Sequence, residues 1–365
     1  MEGVLAYADN QLGMQKKTVF VGLSGGVDSG VAAAKLQTAG YEVVGVFIKV
    51  WHPDFLVCNW EQERLDAMRV AATLDIPFLT CDAESAYRDA VAAHFINEYQ
   101  AGRTPNPDVL CNQHVKFGAF LDFARAHGAD FIATGHYARR LETAHGPALY
   151  RGVDQTKDQS YFLWSLTTEQ LARSLFPLGE STKQTVRAEA AALGLPTATK
   201  PDSQGICFLG HIDIPEFLAH YVTLEPGPVL DETGQAIGTH QGAITYTLGQ
   251  RHGFTITTHD SNRPVLYVTA IDVTANTITV GPARPTLARA DTVTVRDLVL
   301  RSHLSPSTTV SAQFRYRQAP FPVTVSARTK DSLTLTLADA VERPAAGQSC
   351  VLYDGDHCLG GGIIG

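Results

Sequence analysis

The sequence predicts an α/β protein whose first domain is a doubly wound parallel sheet, followed by two small β-rich domains. Three observations carry that expectation. Short apolar runs alternate with helical segments through the first half. At Val19–Ser29 a strand, a glycine turn and a helix start are joined without a linker. After about Leu218 the chain becomes rich in Gly, Pro and Thr, with short alternating strands.

Taken in order, Val19-Phe20-Val21 reads as a buried strand, and Ser29 to Leu36 restarts with helical spacing and alanine-rich composition. Val43 to Val50 is a second strand, Gln62 to Leu74 a helix with a charged face, and Pro77 to Cys81 a third strand. Helices follow over Ala86 to Gln100 and Val115 to Ala126, the latter ended by Gly128. Asp130 to Ala138 is another strand, closed by a Gly135-His136 turn. Leu166 to Ala172 and Thr185 to Leu193 add two helices beyond the sheet. Glu225-Pro226-Gly227-Pro228 and Gly281-Pro282-Ala283-Arg284-Pro285 read as domain junctions, with strands at Ile278–Val280, Thr292–Val295 and Leu333–Leu337. The domains expected are therefore residues 16–218, 219–282 and 283–365.

At 365 residues the chain exceeds one typical core. Charged residues at 18% and hydrophobic ones at 44% suit a soluble globular enzyme, and no apolar run is long enough to span a membrane. Met1 to Gln15 carries Glu2 and Asp9, lacks a signal pattern and reads as a loose tail. Six cysteines, at 58, 81, 111, 207, 350 and 358, form no CxxC pair, which fits a reducing cytoplasmic setting. A net charge of −8 means that nucleic acid would have to meet a local basic face.

The junction at Gly22-Leu23-Ser24-Gly25-Gly26-Val27-Asp28-Ser29 has the makings of a phosphate cradle, because backbone N–H groups and a helix dipole converge on one point. Gly25 and Gly26 permit close approach of an anion; Ser24 and Ser29 offer hydroxyls, and Asp28 can hold magnesium or cap the helix. A Walker A loop needs a lysine before its last Ser/Thr, and this one has none, which argues against γ-phosphoryl transfer. Two further segments hold cysteines among polar and turn-forming residues. Asn106-Pro107-Asp108-Val109-Leu110-Cys111-Asn112 reads as a rigid loop presenting Asp108 and Cys111, and Ser203-Gln204-Gly205-Ile206-Cys207-Phe208 as a glycine-containing loop. Taken alone, either cysteine is equally well a core thiol. Between Leu298 and Lys330 lie five basic residues, Arg301, Arg315, Arg317, Arg328 and Lys330, and no acidic one, interleaved with Phe314 and Tyr316. Such a run suits phosphate contact and base stacking.

The Ser-Gly-Gly-Val-Asp-Ser block resembles the pyrophosphate loop of the ATP pyrophosphatases, which implies cleavage of ATP to AMP and pyrophosphate. From Lys17 to the Gly360–Ile364 end the chain further resembles the bacterial tRNA-specific 2-thiouridylases. The matching blocks are Ala101–Asp108, Ala133–Tyr137, Lys157–Leu163, Gly205–Phe208, Thr247–Arg251 and Arg315–Gln318. This resemblance implies an adenine nucleotide alpha hydrolase-like first domain, a β-barrel as the last domain, and ATP-dependent 2-thiolation of wobble uridine. ATP and magnesium would take part, with tRNA for Lys, Glu and Gln and a sulfur-donor protein as partners.

By the same resemblance Gly22 to Ser29 would hold the ATP phosphates, and Ile48 and Gly135 would line the adenosine site. Asn106, Pro107 and Asp108 would meet the target uracil, Cys111 would be the nucleophile, and Cys207 would become the persulfide. His136, Lys157, Asp158, Gln159, Arg315, Tyr316 and Gln348 would touch tRNA. Relatives often carry methionine at Ile48, and Trp51 to Trp60 has no assigned role. Three alternatives stand beside this reading. Asp108, Cys111 and Cys207 would ligate a [4Fe-4S] cluster that delivers sulfide; the same loop would serve an amidating or ligating synthetase; or the chain would only bind tRNA or carry persulfide.

Overall fold

Alternation along Thr18–Gly22 (β1) sends Val19 and Val21 to one face and Phe20 to the other, and each face packs its own apolar layer. The computed structural model describes residues 16–55, 60–202, 214–257, 264–283, 289–342 and 344–365. The expected tail at Met1–Gln15, Cys58, the Ser203–Phe208 segment with Cys207, and the Arg284-Pro285 end of the second junction lie outside them. Around β1 stand Glu42–Lys49 (β2), Phe78–Asp82 (β3), Phe131–Ala133 (β4) and, after the hairpin Ala138–Thr143 (β5) and Gly146–Arg151 (β6), Ser174–Leu175 (β7). They form a five-stranded, wholly parallel sheet in the order β3-β2-β1-β4-β7.

In chain order the helices of this part are Val27–Thr38 (α1), Trp60–Thr73 (α2), 84–100 (α3), 107–126 (α4), Thr168–Ala172 (α5) and Lys183–Ala192 (α6). Helices α1, α2 and α6 bury Val31, Val70 and Val186 on one face, while α3, α4 and α5 bury Val91, Phe120 and Leu171 on the other. The doubly wound sheet is therefore as expected. Its strand order reverses at β1, flanked by β2 and β4, so the loops leaving β1 and β4 bound the crevice where such sheets bind ligands.

Four local expectations are corrected. Helix α4 begins at Pro107 rather than Val115, so Asp108 and Cys111 lie on a helix and not on a rigid loop. Asn106 caps it by accepting the Val109 N–H at 3.4 Å, and proline is favoured at a first helical position because its missing N–H is unneeded there. The stretch Cys111–Ala119 is π-helical, and Gln170 of the α5 capping box donates to the carbonyls of Gln113 (3.0 Å) and Phe117 (2.9 Å). The strand expected over Asp130–Ala138 ends at Ala133; Ala138 opens β5, whose hairpin leaves the parallel sheet. Finally, α5 and α6 are not both beyond the sheet, since the two-residue β7 between them adds an edge strand.

After the helix Ile214–Ala219 (α7) come Gly227–Leu230 (β8), Ala236–His240 (β9), Thr255–Ile256 (β10), Tyr267–Asp272 (β11) and Thr277–Gly281 (β12), forming a second sheet in the order β10-β9-β8-β12-β11. The remaining strands are Arg289–Leu300 (β13), Thr309–Gln313 (β14), Phe321–Arg328 (β15), Ser332–Glu342 (β16), Ser349–Asp354 (β17) and His357–Ile364 (β18). Their order β13-β16-β15-β14-β17-β18, together with the β13–β18 pairing, closes an antiparallel barrel around Val295, Val325, Leu335 and Leu352. The barrel implied by the resemblance is thus present.

The hairpin β5–β6 belongs to the first part of the chain but pairs through β6 with β18 of the barrel. Three side chains fasten the same seam. The Tyr161 hydroxyl donates to the carbonyls of Phe314 and Ser349, and Arg151 pairs with Asp158 and Gln313. Arg301 donates to the carbonyls of Trp164 (2.8 Å), Leu166 (2.9 Å) and Cys358 (3.0 Å). Of the five basic residues expected to form a nucleic-acid face, Arg301 is therefore turned inward as a clamp.

Candidate active site

The loop leaving β1 is fixed by its glycines and serines. Gly25 has φ +69°, and a Cβ there would stand 2.6 Å from the Glu63 carbonyl oxygen, so only glycine fits without displacement. Gly26 caps α1 with extended backbone and offers no side chain, which leaves the first N–H groups of the helix facing the crevice. The Ser29 hydroxyl accepts the Ser24 N–H at 3.2 Å and donates to the Gly26 carbonyl at 3.3 Å, holding the turn closed. The loop leaving β4 presses against it, since a Cβ on Gly135 would lie 2.8 Å from Ser29 N. Ile48 is buried at the end of β2, and its Cδ1 would stand 3.4 Å from a Cβ on Gly22.

Sequence reasoning missed the residues that surround Asp28. The Lys183 ammonium lies 2.7 Å from Asp28 Oδ1 and 2.8 Å from Oδ2, and the Tyr137 hydroxyl donates to Oδ1 at 2.8 Å. Lys183 also pairs with Asp202 at 2.8 Å, and Asp202 takes Lys157 (2.8 Å) and Arg187 (2.7 Å) as well. Burial works against ionisation of Asp202, but the Lys157 and Lys183 ammonium groups overcome it and hold its carboxyl down to about 2. Lys200 donates to the Gly25 carbonyl at 3.1 Å and pairs with Asp66. A cluster of four cations and their carboxylates therefore lines the loop. Tyr137 and Lys157 fall in the Ala133–Tyr137 and Lys157–Leu163 blocks of the resemblance, but nothing in the sequence ties them, or the basic residues of the Lys183–Lys200 stretch, to the loop.

Helix α4 stands on the ligand side of the sheet. Phe120 lies 3.5 Å from where a Gly22 Cβ would be, at the carboxyl end of β1, and α4 reaches that point from Pro107. Cys111 comes nine residues before Phe120 on the same helix, on the side of the sheet where the loops leaving β1 and β4 open. Cys111 is fully buried, in the same apolar layer as Val109, Tyr87 and Tyr161. Asp108 is partly exposed one helical turn before it. The barrel closes over this turn, with Gln348 donating to the Thr104 carbonyl at 2.7 Å and Thr104 N–H to the Ala346 carbonyl at 3.0 Å.

The residues expected to touch tRNA fall into two groups. Arg315 and Tyr316 lie with Phe314, Arg317 and Gln318 on an open cleft of about 360 Å³ in the barrel wall. Tyr316 packs against Phe162 at 4.4 Å, which joins that cleft to the Lys157–Leu163 block. Lys157 and Gln159 are partly exposed, but His136 and Asp158 are buried. Burial, with Lys116 nearby, pushes His136 well below the usual imidazole range, and its Nδ1 meets Thr134 Oγ1 at 2.7 Å. Asp158 accepts the N–H groups of Gly152 and Ser160 and the Ser160 hydroxyl, so it orders its own turn. Among the described residues no three His, Cys, Asp or Glu side chains gather into a metal site, and no helix is long and apolar enough to cross a membrane.

Comparison with known proteins follows the same three regions. Residues 17–211 match the family described as tRNA methyl transferase HUP domain, 215–282 the tRNA methyl transferase PRC-barrel domain, and 290–364 the aminomethyltransferase beta-barrel domain. The tRNA-specific 2-thiouridylase MnmA of Ralstonia nicotianae is 48% identical over 358 residues, 96% of each chain. The protein of the same name from Cupriavidus metallidurans is 46% identical over 96% of this chain and all of its own. That from Chromobacterium violaceum is 45% identical over 96% of this chain and 92% of its own.

Proposed function

The chain belongs to the tRNA-specific 2-thiouridylase family, and on that premise we propose that it replaces the 2-oxygen of wobble uridine in tRNA with sulfur at the expense of ATP. The observation that supports this best is the placement of the glycine loop and the Asn106–Cys111 turn on one side of the sheet, with α4 carrying the turn and packing Phe120 beside Gly22. A uracil would lie between a nucleotide at the loop and the thiol on the helix.

The uracil 2-oxo group is a poor leaving group, and attaching AMP to it makes a good one. Gly22 to Ser29 would hold the triphosphate against the first N–H groups of α1, with Ile48 and Gly135 flanking the adenosine. Magnesium binds through one or two carboxylates plus substrate phosphates; Asp28 is the carboxylate beside the loop, and the ion would take it in place of the Lys183 ammonium that spans both of its oxygens. It would neutralise phosphate charge. Asn106, Pro107 and Asp108 would receive the base at the start of α4.

The terminal sulfur of a Cys207 persulfide would then attack C2, and AMP would depart. Cys111 would attack Sγ of Cys207, leaving a Cys111–Cys207 disulfide for an external thiol to reduce. In the iron–sulfur alternative, Asp108 and Cys111 sit one helical turn apart, as two ligands of one cluster would. The two thiols suffice for the persulfide route. A cysteine desulfurase or relay protein would supply the sulfur, the tRNAs would be those for Lys, Glu and Gln, and the cytoplasm would keep the thiols reduced. Residues 16–218 would form the catalytic domain, 219–282 a central domain and 283–365 the tRNA-binding barrel.

Product analysis tests the ATP step. Wild-type protein given ATP, magnesium and unmodified tRNA is expected to form AMP and pyrophosphate only when tRNA is present. Formation of ADP and phosphate, or AMP release driven by ammonia without tRNA, would overturn the reading. The barrel cleft makes a separate prediction. Arg315→Ala should weaken tRNA binding and reduce the salt dependence by about one counterion, and an unchanged slope would contradict a phosphate contact there. Arg301→Ala should instead lower the melting temperature, since its guanidinium satisfies carbonyls at the domain seam.

A further inference from the structure

We propose that Gln170 is the positioning residue for the Cys111 thiol, acting by holding the middle of α4 in a π-helical register; this rests on the role of Cys111 proposed above. Cys111 is the first residue of the π-helical stretch Cys111–Ala119. The far end of that stretch is fixed, because Phe117 and Phe120 are fully buried in the apolar layer against the sheet. The direction of the thiol therefore depends on the register between them. A change of register by one residue turns Cys111 by about 100° around the helix axis.

Both ends of the Gln170 amide are in use. Its Oε1 accepts the Thr167 N–H at 3.0 Å, and its Nε2 donates to the carbonyls of Gln113 (3.0 Å) and Phe117 (2.9 Å). In an α-helix those two carbonyls would take the N–H groups of Phe117 and Leu121. Donors brought from α5 satisfy them instead and leave the wider i→i+5 bonding in place. Gln170 is held from the sheet in turn, since the Ser174 hydroxyl of β7 donates to its carbonyl at 2.6 Å. Asn112, next to Cys111, is buried and donates to the Phe162 carbonyl at 3.1 Å, which pins the start of the stretch.

In the resolving step Cys111 gives its proton to water and attacks Sγ of Cys207. The bond from Sγ to the terminal sulfur breaks, and that sulfur leaves on C2 of the uracil with the electron pair, so that a disulfide forms and 2-thiouridine is released. The attack depends on where the thiol points, and a misplacement of about 1 Å costs about 10²-fold. Adenylation and pyrophosphate release come before this step and do not use Cys111.

The test compares Gln170→Glu, Gln170→Met and Thr167→Ala in the full-length chain, in a single turnover with ATP, magnesium and unmodified tRNA. Glutamate keeps the acceptor of the capping box and removes the two donors to α4; methionine removes them without adding charge. Thr167→Ala breaks the capping box and leaves those donors in place, which controls for a weakened α5. In both Gln170 variants, release of 2-thiouridine tRNA should fall about 10²-fold while pyrophosphate release stays within about twofold of wild type. Thr167→Ala should lower the melting temperature and leave both rates within about twofold. Alkylation of Cys111 by iodoacetamide, which needs no turnover, should be about tenfold faster in the Gln170 variants and unaltered in Thr167→Ala. Equal losses of pyrophosphate release and thiolation in the Gln170 variants, or a Thr167→Ala protein that matches them in thiolation and alkylation, would overturn the assignment. If wild type makes no 2-thiouridine, the role of Cys111 proposed above fails; alkylation that speeds up in the Gln170 variants alone then upholds the register, and equal alkylation rejects it as well.

Discussion

Cys111→Ser is expected to lower tRNA thiolation by about 10³-fold or more, while tRNA binding and the melting temperature stay close to wild type. The thiol is fully buried among apolar side chains, so its role depends on the α4 turn that carries it. Serine is nearly isosteric, and burying its hydroxyl costs about 1 kcal/mol, too little to unfold the domain. A core thiol would behave differently. Cys111→Ala would then cost about 1 kcal/mol of stability and leave turnover intact. Thiolation that survives both substitutions would remove Cys111 from the chemistry. Cys207→Ser is expected to match Cys111→Ser in turnover.

The second large effect is expected at Gly135. Its backbone crosses the first turn of α1 so closely that an added Cβ would lie 2.8 Å from Ser29 N and 2.9 Å from Asp28 C, both backbone atoms. Gly135→Ala must therefore separate the β4 loop from the phosphate loop by a few tenths of an ångström, moving the N–H groups that face the nucleotide. A misplacement of about 1 Å costs about 10²-fold, so this smaller shift is expected to lower kcat/KM for ATP by about tenfold, and tRNA binding without ATP should be unaffected. Gly40→Ala is the control. Gly40 also has positive φ, at +88°, but nothing stands within 4 Å of its Cβ position, so it should cost about 1 kcal/mol of stability and no activity.

The sequence made the phosphate loop legible because everything that shapes it is local. The change from strand to helix spacing and the Gly25 turn occur within a dozen residues. What surrounds the loop was not legible, because Tyr137 and Lys183 reach Asp28 from 109 and 155 residues away and no local pattern ties either to it. The prolines of Asn106–Asn112 suggest a rigid loop in sequence, whereas the Asn106 cap makes Pro107 the first residue of a helix that carries Cys111. Arg301 was counted with the basic face because charge is readable in sequence and direction is not; the Trp164 and Leu166 carbonyls turn it inward. The Ala138–Thr143 strand was merged with β4 because one polar turn at Gly135-His136 does not reveal that the chain changes sheets. In the same way the sequence left Trp51 to Trp60 unassigned, yet Phe55 stacks on His220 at 3.5 Å and Trp51 meets Tyr221 at 6.3 Å, tying β2 to the segment after α7.

The central claim, sulfur transfer to tRNA uridine, is tested most directly by nucleoside mass analysis. Unmodified tRNA would be incubated anaerobically with the protein, ATP, magnesium and a sulfide source, with and without iron–sulfur reconstitution. The expected result is a wobble uridine heavier by one oxygen-to-sulfur exchange, dependent on ATP, Cys111 and Cys207, in unreconstituted protein. Thiolation only after reconstitution would replace the persulfide route with a cluster, and unaltered uridine under both conditions would contradict the account.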